Sequence, residues 1–151
     1  MALTTIGHAA LPTGSVLQVV QLTKTDTSFA PTANQDNDVT GLTALQITPK
    51  FSSSKVLVSL ISPCLATSCS DIVFKIYRDS TLVWQNNHHS NGLDSNDYIP
   101  FTLAVEYLDS PSSTSQLTYK LTVNHDSDDL YINYTNELAS ISTFTAKEIR
   151  G

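Results

Sequence analysis

The sequence predicts an all-β protein, an antiparallel two-sheet jelly-roll sandwich of roughly nine or ten strands. Three observations predict it. Apolar residues recur on alternate positions, the segments between these runs are short and rich in Ser, Asn, Asp and Pro, and no stretch carries the i, i+3, i+4 spacing of an amphipathic helix. The clearest run is residues 98–109, where Ile99, Phe101, Leu103, Val105 and Tyr107 alternate with Pro100, Thr102, Ala104 and Glu106. One face of such a strand belongs in a core. The pattern returns as Leu117, Tyr119, Leu121 and Val123, and the intervening SPSSTSQ reads as a turn joining the two runs into an antiparallel pair. An immunoglobulin sandwich is the rival architecture, but its Cys and Trp spacing is missing.

In chain order, residues 1–14 have no period and close on Pro12-Thr13-Gly14. They read as an arm ahead of a single domain spanning residues 15–151. The arm is either an unstructured tail or an anchor onto another protein through Leu3, Ile6 and Leu11. Residues 15–24 are the first strand and 25–37 a polar loop. Residues 38–48 form a strand bent or bulged at Gly41. Residues 55–62, KVLVSLIS, differ in kind: Val56, Val58 and Leu60 supply one face, while Leu57 and Ile61 make the other face apolar too. A strand apolar on both sides is usually covered on both sides. A sandwich of this size has one interior, so Leu57 and Ile61 are expected to meet a loop or a neighbouring subunit. Residues 71–79 and 82–85 make a hairpin, and the very polar segment 86–97, NNHHSNGLDSND, is a loop. Strands at 129–135 and 139–149 complete the chain, the latter with Ser142, Phe144 and Ala146 on one side and Ile141, Thr143 and Thr145 on the other.

Composition narrows the function. The 151 residues carry 14 Asp and Glu against 8 Lys and Arg, a net charge of -6, and the basic residues are scattered, which excludes a nucleic-acid backbone surface. No apolar stretch approaches a membrane span, so no membrane insertion is expected. The start lacks the basic and apolar regions of a signal peptide, and the expectation is synthesis and folding in a cytoplasm. Cys64 and Cys69 are the two cysteines. They are free thiols, a disulfide formed after release from the cell, or half of a metal site; the spacing alone does not decide.

No catalytic constellation is visible. The chain has no HExxH, no glycine-rich phosphate cradle and no Gly-x-Ser-x-Gly elbow, so no enzymatic activity, cofactor or metal is expected. His88, His89, Asp94 and Asp97 crowd one polar segment, which is read either as a solvated loop or as a candidate receptor-contacting loop. HDSDD at 125–129 is rich in oxygens but lacks the order of a calcium loop. Trp84 and the tyrosines at 77, 98, 107, 119, 131 and 134 are assigned to packing ahead of a sugar-stacking platform.

Several segments together carry a resemblance: PTGSVLQVVQ at 12–21, DVTGLTALQITPKFSSSKVLVSLIS at 38–62, IYRDSTLV at 76–83, LDSPSSTSQLTYKL at 108–121 and the terminal TFTAKEIRG. In their order and spacing they resemble a module of tailed-phage virion proteins, of the kind found in phages of marine bacteria and cyanobacteria. That module is similar to the trimeric jelly rolls of the tumour-necrosis-factor and complement type. The resemblance implies a virion-surface location and a homotrimer, and the two-sided strand makes Leu57 and Ile61 its expected contact. The resemblance also implies capsid or tail proteins as partners, and either head decoration or a short fibre. The alternative it implies is a fibre tip contacting a host surface glycan. Only about a dozen residues precede the domain, so a small separate virion component is expected ahead of a complete tail fibre.

Overall fold

A strand with one face in a core should bury every second side chain, as Ile72, Phe74 and Ile76 do in one strand and Ser142, Phe144, Ala146 and Glu148 in another. The computed structural model describes residues 7–26, 32–67, 71–89, 98–126, 130–134 and 140–151. Within them, strands run β1 (Val16–Lys24), β2 (Asn37–Asp38), β3 (Leu45–Ile47), β4 (Lys55–Thr67) and β5 (Asp71–Arg78). They continue as β6 (Thr81–His89), β7 (Tyr98–Asp109), β8 (Leu117–His125), β9 (Leu130–Ile132) and β10 (Ser142–Ile149). The one helical element among the described residues is a 3-10 turn at His8–Ala10.

The strands form two antiparallel sheets. The first has the order β1-β10-β4-β7, with β9 pairing the far half of β4; the second has the order β2-β8-β5-β6, with β3 also on β8. Successive strands repeatedly cross from one sheet to the other, which is the jelly-roll way of closing a sandwich. The core between the sheets is apolar and continuous: Val56, Val58 and Leu60 of β4, Leu103 and Val105 of β7, Phe144 and Ala146 of β10 meet Ile72, Phe74 and Ile76 of β5 and Tyr119, Leu121 and Val123 of β8. Each large side chain so buried contributes about 1.5–3 kcal/mol before the entropy of ordering the chain is set against it.

Four expectations need correction. Residues 98–109 and 117–125 are both strands, but they do not pair: β7 lies on β4 in the first sheet, and β8 lies on β5, β2 and β3 in the second. The connection between them spans the sandwich, turning through Ser112 at a φ of 50°. The strand expected over 38–48 is two short pieces, β2 and β3, parted at Gly41 with a φ of 85°. Between them the backbone stays on β8, with the Val39 amide donating to Leu121 O at 3.0 Å and the Leu121 amide to Leu42 O at 3.0 Å. The run at 55–62 extends as strand to Thr67 and so includes Cys64. The loop expected from residue 86 begins later, because β6 continues through His89 against β5.

The domain also closes at its ends. The Gly14 amide donates to Arg150 O at 2.8 Å, and the Arg150 amide donates to Ser15 O at 2.9 Å.

Candidate functional site

The antiparallel register lays out the outer face of the first sheet row by row. Val19, Lys147, Leu57 and Leu108 form one row, Gln21, Thr145, Ser59 and Glu106 the next on that face, and Thr23, Thr143, Ile61 and Ala104 the third. Val19 and Ile61 are each 56% exposed and Leu108 is 45% exposed, while Leu57 is half-buried. Lys147 and Glu106 are the charged members of these rows; the rest are apolar, hydroxyl or amide side chains. A shallow hollow of about 260 Å³ lies over Ser59, Ile61, Ala104 and Glu106. Large apolar groups left open on a flat sheet forgo roughly 1.5–3 kcal/mol each relative to full burial, and such a patch marks a contact surface.

The sequence-derived site residues separate. Leu57 and Ile61 do share the outer face, two residue rows apart. Leu11 is half-buried just before the first strand, whereas Leu3 and Ile6 lie outside the described residues. His88 sits in β6 opposite Ile72 rather than in a loop, its ring stacked on Phe101 with centroids 4.8 Å apart and planes at 9°. The His89 backbone pairs with Asp71, and Asp94 and Asp97 lie outside the described residues. Cys64 is a buried free thiol, pushed up to about 12 by burial, with Sγ 3.5 Å from Ser62 O; Cys69 lies outside the described residues.

Several buried polar groups are paired within the fold. Glu148, fully buried on the inward side of β10, accepts from the Ser54 hydroxyl at 2.7 Å, the Lys50 amide at 2.6 Å and the Gln18 side-chain amide at 2.6 Å. Burial alone would raise its pKa, but these hydrogen bonds outweigh burial and hold it below the ordinary glutamate value. Lys24, also buried, donates to Asp26. Ser142 Oγ accepts from the Ser62 hydroxyl at 2.7 Å and donates to Asn133 Oδ1 at 2.9 Å. Among the described residues, no group of three or more His, Cys, Asp or Glu side chains is placed to hold a metal ion.

A second surface, not anticipated from the sequence, lies on the outer face of the other sheet. A cleft of about 330 Å³ is lined by Asp36, Asp38, Tyr77, Asp79, Ser80, Lys120 and Thr122. Lys75 Nζ holds both Asp36 oxygens at 2.8 and 2.7 Å, and Lys120 Nζ holds Asp38 at 2.8 Å while lying 5.7 Å from the Tyr77 ring centre. The Lys75 bond, opposed by partial burial and helped by Asn124, draws the Asp36 carboxyl below its usual pKa. Its elements come from three separate parts of the chain, so no local motif announces them.

No protein-family model matches the chain, and no curated protein does. Among solved structures, the chain is similar to the VP2 protein of infectious bursal disease virus. The D431N mutant VP2 in T=1 particles matches at 16% identity with a TM-score of 0.44, covering 99% of this chain and 41% of that one. The VP2 subviral particle matches at 16% identity and 0.36, covering 99% and 38%. The T13 particle of the same virus matches at 18% identity and 0.38, covering 88% and 36%. The chain thus spans about two-fifths of the length of the structures it matches.

Proposed function

We propose that this chain is a structural component of a virion, a homotrimer on the surface of a tailed phage that decorates the head or forms a short fibre. The observation that carries the assembly is the outer face of the first sheet, where Val19, Ile61 and Leu108 stand open around half-buried Leu57 with little charge among them. Cyclic packing around a threefold axis would cover this face once in every subunit. The virion setting is supported by the resemblance of segments 12–21, 38–62, 76–83 and 108–121 to tailed-phage surface modules. Residues 1–14, with Leu3, Ile6 and Leu11, supply the attachment to capsid or tail proteins.

Light scattering on the purified chain should give three times the chain mass, and a clean monomer at micromolar concentration would overturn the threefold reading. Electron microscopy of intact particles tests the location. Chain lacking residues 1–12 should fold, because the bonds between residues 14–15 and Arg150 are retained, yet should fail to join particles.

A further inference from the structure

We propose that the outer face of the first sheet consists of two unlike halves that join head to tail, Lys147 of one copy of this chain meeting Glu106 of the next. The inference rests on the threefold reading above and supplies its contact. A ring of three cannot be closed by one self-matching patch. Each subunit must offer one patch to the copy before it and a different, complementary patch to the copy after it.

The face supplies two such patches, matched in shape and in charge. On the β1–β10 side, Val19 stands 56% exposed and lies beside Lys147 in the ladder. On the β4–β7 side, the hollow of about 260 Å³ is lined by Ser59, Ile61, Ala104 and Glu106. The first half is an apolar knob next to a positive charge, and the second is a hollow with a negative charge on its wall. Lys55, one row beyond Leu57 on the side away from Glu106, adds to the positive corner. Lys24, Lys75, Arg78 and Lys120 each pair with a carboxylate inside the chain, whereas Lys147 and Glu106 have no such partner among the described residues. A partner of uniform charge would be repelled by one half or the other. A second copy of the same chain presents the opposite sign to each, and charges so placed fix the register of a contact.

The test is charge reversal in the full chain, read by light scattering at the lowest concentration where the parent is fully assembled. Lys147→Glu alone and Glu106→Lys alone should each raise the concentration needed for assembly about tenfold or more, because every contact in the ring then opposes like charges. The double variant carrying both substitutions should assemble like the parent, which also shows that neither substitution damages the fold. Ala104→Trp fills the hollow without changing charge and should block assembly as well. An equimolar mixture of the two single variants should not recover the three-chain species. With two kinds of chain in a ring of three, at least two neighbours are of the same kind, and their contact sets like charges against each other. A parent that is monomeric overturns both this contact and the threefold reading. A trimeric parent whose single reversals assemble normally, whose double variant stays dissociated, or whose mixture recovers in full overturns the contact alone.

Discussion

Tyr119 donates its phenolic hydrogen to Asp109 Oδ2 at 2.7 Å, tying β8 of the second sheet to the last inward residue of β7 in the first. Arg78 Nη1 grips the same carboxylate at 2.6 Å from each oxygen. Tyr119 is fully buried, and burial followed by the Asp109 charge pushes its hydroxyl well above the ordinary tyrosine pKa. Tyr119→Phe removes one hydrogen bond to a charged acceptor and leaves the Arg78 pair in place. It should cost about 1.5–3 kcal/mol, measured as a lower urea midpoint at unchanged slope.

Stability should fall on the acid side through Glu148. Its pKa is depressed in the folded chain, so between that value and the unfolded value of about 4.3 the unfolded chain binds more protons. The contribution is present above the unfolded pKa and is lost as pH drops through the folded one. In Glu148→Gln the acid limb of a melting-temperature profile should flatten, with a loss on the order of 1–3 kcal/mol at neutral pH.

Ile61 lies on the outer face and is 56% exposed in the single chain, so Ile61→Asp should leave the fold intact. In an assembled face the same carboxylate would be buried without a partner, at a cost of several kcal/mol. If the proposed trimer forms through this face, light scattering should show the variant as monomer at concentrations where the parent assembles, with the two sharing one far-ultraviolet dichroism spectrum.

Cys64 should be chemically silent in the folded protein. With its pKa pushed up to about 12, the reactive thiolate at pH 8 is on the order of a thousandfold scarcer than for an unfolded cysteine. Iodoacetamide should label Cys64 only after denaturation, as peptide mapping would show.

What the sequence disclosed follows from what a period of two can encode. Alternation in residues 98–109 and 142–149 identifies strands and says which side chains point inward, and Leu103, Val105, Phe144 and Ala146 are buried as that pattern requires. It does not encode which strand pairs with which. Residues 98–109 and 117–125 look like a hairpin because their connection is short, yet the same length spans the sandwich. Asp109 and Glu148 fall in the inward phase, two positions beyond Tyr107 and Ala146, but Arg78 and Ser54, which make their burial tolerable, are distant in the chain. The apolar outer face was legible because both Leu57 and Ile61 break the alternation within one strand. The cleft was not, because Asp38, Tyr77 and Thr122 meet only once β2, β5 and β8 are laid side by side.

The paired bonds between residues 14–15 and Arg150 make the domain a loop in all but the covalent link. Where the polypeptide is cut is then a matter of convenience. A short linker could join these ends and a new opening could be placed in the tight β5–β6 turn at Asp79-Ser80, leaving each strand beside its present neighbours. The same closure means that the chain enters the sandwich at Gly14 and leaves it at Arg150 side by side.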